Sequence, residues 1–194
     1  MKQFASHSGV QILLTGIGRQ NAERVLKEFL DRSRPRQVFS CGFAGGLAPS
    51  CRVGDVLFET REVTLRDQLT AAGAAPATFH CADRIATTVA EKRTLRDQTG
   101  ADAVEMESAA IHAICRERAI PCATVRVVSD TAHEDLPLDF NQLSNPDRSL
   151  NYGKLAWAVA KSPSKIPALM QLQKNCRLAA ERLAGVLTRV ICSE

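Results

Sequence analysis

Residues 10–15 (V-Q-I-L-L-T) form an apolar run of strand length, closed by Gly16-Ile17-Gly18, and predict a buried strand. Ala22, Val25, Leu26, Phe29 and Leu30 recur at helical spacing, which predicts an amphipathic helix over residues 20–32, stopped by Pro35. Residues 38–41 read as a second short strand, followed by Gly42-Phe43-Ala44-Gly45-Gly46. A third strand is expected over 53–59, after a turn rich in Gly, Pro and Ser. Residues 70–78, alanine-rich with Gly73 and Pro76, read as a loop or short helix. Thr88-x-x-Glu91 has the form of a capping box and opens a helix to about Asp97. A short strand over 103–106, a helix over 108–118 and a valine-rich strand over 123–129 come next. Residues 130–145 are polar and turn-rich, and a helix is expected over 150–160. Leu169, Leu172, Cys176, Ala179, Leu183, Val186 and Val190 mark a long C-terminal helix over about 167–192, with Pro167 in its first turn.

Strands alternating with helices predict an α/β fold: one domain over residues 1–194, with a mixed, mostly parallel sheet flanked by helices. Ligands in such sheets bind beyond the carboxyl ends of the strands. Four segments qualify: 16–19, 42–46, 105–108 and 129–132.

Composition narrows the class. The chain has 194 residues, 45% hydrophobic and 24% charged, the balance of a globular protein. No apolar run approaches the roughly 20 residues that span a membrane. Residues 1–9 contain no apolar signal segment, so the cytoplasm is the expected location. Residues 1–150 carry 18 Lys/Arg against 19 Asp/Glu, and residues 151–194 carry 7 against 2. The basic excess therefore belongs to a C-terminal segment. With one Trp and one Tyr and no aromatic–basic interleaving, nucleic acid is not an expected partner. Lys174, Arg177, Arg182 and Arg189 read as a solvated helix face, the rival being contact with an anionic membrane surface. Seven cysteines without a C-x-x-C read as reduced thiols, and the four histidines lack metal-ligand spacing.

Gly16-x-Gly18 after an apolar run could offer backbone amides to an anion, with Arg19 adding charge, or be a tight turn only. It lacks the third glycine of a dinucleotide site, because position 21 is Asn21. The glycines at 42, 45 and 46 would let a flat ligand approach the backbone. Glu105-Met106-Glu107-Ser108 stands at a strand-to-helix junction, where one carboxylate could grip a vicinal diol. Asp130 closes a strand, where partial burial suits a general acid.

In this order, T-G-I-G-R (15–19), C-G-F-A-G-G-L-A-P (41–49), V-G-D-V (53–56), V-E-M-E-S-A-A (104–110) and V-R-V-V-S-D-T-A (125–132) resemble the purine nucleoside phosphorylase/nucleosidase superfamily. The likeness is strongest to the methylthioadenosine/S-adenosylhomocysteine nucleosidase branch. The S-P-S-K-I-P-A-L stretch (162–169) is similar to hopanoid-associated members. The resemblance implies cleavage of the N-glycosidic bond of a purine nucleoside or 5′-substituted adenosine, by water or phosphate. It implies that Asp130 protonates N7 of the leaving base and Glu107 binds the ribose hydroxyls. Met106 would pack on the sugar and Ala44 and Gly45 against the base, with Phe43, Glu105 and Ser129 completing the substrate set. Gly16, Gly18 and Arg19 would be the anion site. The resemblance also implies a homodimer and no cofactor beyond inorganic phosphate as a co-substrate.

The sequence departs from this family in three places. The family's first strand and its water-positioning acid are expected to be absent, or to lie upstream of Met1, since no acidic residue precedes Glu23. Around residues 40–45 there is a serine but no arginine, and bulky Phe43 favours water over phosphate. Arg84 and Ile85 stand where nucleosidases carry an aromatic that stacks on the base. A catalytically degenerate member that binds a nucleoside or a protein is the rival function.

Overall fold

The computed structural model describes residues 9–145 and 151–192. Its elements are α1 (Arg19–Leu30), β1 (Val38–Gly46), β2 (Val56–Thr60), α2 (Val63–Ala71), β3 (Ala75–Pro76), β4 (Phe79–Cys81), α3 (Val89–Thr99), β5 (Ala103–Glu105), α4 (Ser108–Glu117), β6 (Cys122–Asp130), α5 (Tyr152–Lys161) and α6 (Ile166–Cys192). One sheet runs β3-β2-β6-β1-β5-β4. The pairs β1–β6, β2–β3 and β4–β5 are parallel, and β1–β5 and β2–β6 are antiparallel. The expected α/β class and mixed sheet are as observed.

β6 is central and buried along its whole length, and its alternation splits the core. Ala123, Val125 and Val127 pack with Val56 and Phe58 against Leu65 and Leu69 of α2 and Ala179, Val186 and Val190 of α6. A second cluster joins α1 to α4: Ala22, Leu26 and Leu30 meet Ile111, Ile114 and Cys115. The i, i+4, i+8 spacing on α1 forms that stripe. On α6 Ala179, Val186 and Val190 of the predicted stripe are buried, while Leu169, Leu172, Cys176 and Leu183 are half-buried.

Three expectations are corrected. Residues 10–15 are not a strand: no described strand pairs with them, and Ile12, Leu13 and Leu14 are exposed. An apolar run becomes a strand only beside a partner that takes its backbone hydrogen bonds. α2 fills 63–71, ahead of the expected loop, and residues 75–76 and 79–81 are short strands. The glycine-rich segment 42–46 is not a loop but the end of β1, which is nine residues long. The Thr88–Glu91 capping box is present, and Gly100 closes α3 in the left-handed conformation. The start of the helix expected over 150–160 falls partly outside the described residues, which begin again at 151.

Candidate active site

β1 and β6 run parallel in register from Val38↔Cys122 to Ala44↔Val128, then skip a residue to Gly45↔Asp130. Ser129 is the extra residue of this bulge. Bulges re-aim side chains. Here the Ser129 hydroxyl reaches Asp130 Oδ1 at 2.7 Å, which the strict alternation of a flat strand would prevent. The Asp130 side chain is 10% exposed, and its Oδ2 lies 2.6 Å from Lys92 Nζ of α3. Gly45 backs onto the same carboxylate: an added Cβ would stand 3.3 Å from Oδ2.

β5 brings the second group. It meets β1 antiparallel at Gly45↔Val104, so the chain beyond it returns along β1. Glu105 is fully buried and saturated. Its Oε2 accepts from the backbone amides of Glu107 (2.9 Å) and Ser108 (2.8 Å) and from Arg126 Nη2 (2.7 Å), and Oε1 accepts from the Ser108 hydroxyl (2.6 Å). Burial pushes this carboxyl up, but Arg126 and the Ser108 bonds outweigh it and hold it below the ordinary glutamate range. Glu105 is therefore committed to the scaffold, not free for a ligand. Glu107, two residues on at the N-cap of α4, is half-buried; its Oε2 is 3.2 Å from Arg126 Nη2 and its Oε1 accepts from the Gly18 amide at 2.7 Å.

Arg126 is the hub. It lies buried beneath β1, with Nη2 also donating to Ser40 Oγ at 3.1 Å. It pairs with Gly42, where any Cβ would collide with the guanidinium. That close approach, rather than contact with a ligand, explains the glycine at 42.

The structure thus brings Phe43, Ala44, Gly45, Met106, Glu107, Ser129 and Asp130 to adjoining strand ends; Ala44 and Met106 are buried and Phe43 is exposed. It does not gather the anion set. The Gly18 amide is taken by Glu107, and Arg19 lines a separate cavity of about 220 Å³ between α1 and α4, beside Glu23 and Lys27. Arg84 is ion-paired with Glu91, and both backbone groups of Ile85 are held by the Asn141 side chain. Sequence reasoning missed Arg126 and Lys92. Arg126 carried a signal, a charge inside an otherwise apolar strand; Lys92 carried none. Among the described residues no group of three His, Cys, Asp or Glu side chains could hold a metal ion. No described helix is long and apolar enough to cross a membrane.

The curled mixed sheet, with its glycine-rich strand end between two held carboxylates, defines a protein of the nucleoside phosphorylase fold class. The profile of the phosphorylase superfamily matches residues 5–80 and 64–191, and the chain belongs to this family. The resemblance drawn from the motifs therefore holds. The chain is 30% identical to the 5′-methylthioadenosine/S-adenosylhomocysteine nucleosidase of Anoxybacillus flavithermus, over 70% of this chain and 73% of that protein. It is 31% identical to the nucleosidase of the same name from Psychromonas ingrahamii, over 70% and 74%. Among solved structures, it shares its fold with the futalosine hydrolase of Helicobacter pylori (TM-score 0.69, 16% identity, 93% of this chain and 78% of that one). It also shares it with the Neisseria meningitidis nucleosidase crystallised with methylthio-immucillin-A (TM-score 0.66, 21% identity, 93% and 80%).

Proposed function

We propose that this protein hydrolyses the N-glycosidic bond of a purine nucleoside. The observation that carries the reading is the placement of Glu107 and Asp130 along β1. Arg126, which holds Glu107, pairs with Gly42, and Asp130 pairs with Gly45. Breaking the bond leaves positive charge on the sugar and negative charge on the base. Asp130 gives a proton to the base, and Glu107 accepts hydrogen bonds from the ribose hydroxyls beside the developing cation. Ser129 orients the acid, and the backbone at Ala44 and Gly45 faces the base. The relatives named nucleosidase support water as the nucleophile, as does the engagement of the Gly18 amide by Glu107. The reaction so written calls for no cofactor.

A homodimer in a reducing compartment completes the reading. The exposed Ile12, Leu14, Ile17 and Phe43 supply apolar surface for association, and no cysteine among the described residues is joined in a disulfide. Sedimentation that finds a monomer at every concentration would remove the dimer.

The test is base release. The protein is incubated with adenosine, inosine, methylthioadenosine and adenosylhomocysteine, with and without phosphate, and free base is separated chromatographically. Release independent of phosphate is expected, and Asp130→Asn should lose about 100-fold or more. Strict phosphate dependence would make it a phosphorylase. Tight calorimetric binding without turnover would make it a binding protein.

A further inference from the structure

Helix α3 buries one side chain completely, and it is a lysine. The side chain of Lys92 has no exposed surface. An ammonium is excluded from a protein interior unless its charge and all its protons are met. Here they are: Nζ lies 2.6 Å from Asp130 Oδ2, 2.7 Å from the carbonyl of Thr131 and 2.8 Å from that of Glu134. Three acceptors use the three donors of the group. Packing alone would be served by a leucine or methionine. Tying the 131–136 turn to α3 does not require the lysine either. Asp135 Oδ1 already accepts from the Val89 amide at 2.6 Å, and the Leu136 amide donates to Thr87 at 2.8 Å. What packing and the other turn contacts do not supply is the charge that meets Asp130 Oδ2.

We propose that Lys92 is a positioning residue for departure of the purine base, acting through Asp130; this rests on the hydrolysis proposed above. Lys92 holds Oδ2, so the proton that passes to the base is carried on Oδ1, beside the Ser129 hydroxyl, which can donate or accept; the carboxyl is thus held from both sides. A proton is transferred efficiently only along a fixed donor–acceptor line. Without Lys92, Asp130 keeps its place in the chain but loses its aim. The loss should fall on the step in which the base takes its proton and not on binding of the sugar, which Glu107 serves from another strand end.

The experiment compares wild type with Lys92→Met on two probes: methylthioadenosine, whose base must be protonated, and 4-nitrophenyl riboside, whose leaving group departs as a stable anion. The expected result is a kcat on methylthioadenosine lowered tenfold or more, KM within threefold, and the rate on the nitrophenyl riboside within threefold of wild type. Equal losses on both probes, or no loss, would overturn the proposal. A second measurement does not depend on turnover or on a folded Lys92 variant: ¹⁵N spectra of lysine ammonium groups in wild type and Asp130→Asn. A solvent-protected ammonium signal that moves in the variant is expected. No protected signal, or one unmoved by Asp130→Asn, would overturn the pairing. If the wild type releases base from no probe, the hydrolysis reading falls, and the ammonium spectra alone decide whether Lys92 grips Asp130.

Discussion

The backbone amide of Gly18 donates to Oε1 of Glu107 at 2.7 Å, across 89 residues of sequence. The glycine turn that could have cradled an external anion instead binds an internal one. A helix N-terminus favours negative charge, and α1 and α4 both begin here, at Arg19 and Ser108. The Glu107 carboxylate is held between the amide of Gly18 and Arg126, which fixes it before any sugar arrives.

The geometry at Gly18 gives a first prediction. Its φ of 91° and ψ of 159° lie in a region open essentially to glycine alone. Gly18→Ala should cost about 1–3 kcal/mol through backbone strain, read as a lower urea midpoint. The displaced amide should also release Glu107 and raise KM for a nucleoside more than it lowers kcat. A variant with wild-type midpoint and KM would show that this contact does not orient the carboxylate.

Glu105 predicts a pH dependence. Its burial favours the neutral form, yet Arg126, the Ser108 hydroxyl and the amides of Glu107 and Ser108 depress it below its ordinary value of 4.5. A carboxyl depressed in the folded state contributes stability that is full above its unfolded value and is lost as pH falls through the folded one. Stability should therefore decline as the medium is acidified below about pH 5. Glu105→Gln should flatten that decline while removing about 1.5–3 kcal/mol at neutral pH, the worth of hydrogen bonds to a charged group. Urea titrations at neutral pH and at pH 4 measure both effects. An unchanged slope would assign the acid sensitivity to other carboxyls.

These two residues also show what the sequence could convey. Helical stripes such as Ala22-Leu26-Leu30 were legible because a period is a local property. So was the Thr88 capping box, which needs only four residues. The strand end at 42–46, the E-M-E junction and Asp130 were legible as motifs. Residues 10–15 misled, because strand formation depends on a neighbour that local pattern does not specify. Helix α2 (V-T-L-R-D-Q-L-T-A) was hidden because only Leu65 and Leu69 are buried, too few to draw a stripe. Glu105 and Glu107 stand two residues apart and look alike, yet one is spent on the scaffold. Only tertiary contacts separate them. Lys92 was invisible for the same reason: a lysine on a helix reads as solvated until the strand that brings Asp130 to it is known.

The α3 cap gives a third prediction. The Thr88 side chain accepts from the Glu91 amide at 3.2 Å, and Glu91 Oε2 accepts from the amides of Thr87 (2.7 Å) and Thr88 (3.3 Å). Thr88→Ala should cost about 1 kcal/mol. Since Lys92 lies one turn inside this cap, fraying should also expose its amide. Hydrogen exchange at residues 90–93 should speed up in the variant while exchange in β6 stays slow. Uniform acceleration along both elements would mean that α3 does not open independently.

Glu107 permits the most direct test of substrate orientation. A carboxylate can accept from both hydroxyls of a ribose at once, and charge-assisted bonds of this kind are roughly twice as strong as neutral ones. Glu107→Gln keeps one carbonyl oxygen, which can still accept from Gly18, but loses the charge and the second acceptor. Its kcat/KM on methylthioadenosine should fall about 100-fold or more, two bonds at 1.5–3 kcal/mol each being at stake. The informative comparison is with the 2′-deoxy analogue, which offers one hydroxyl. If Glu107 contacts the missing 2′-hydroxyl, the variant should lose less on the deoxy substrate than on the ribose one, because part of the interaction is already absent. Equal losses on both would mean that Glu107 does not meet the 2′ position and acts through the charge it presents to the sugar cation.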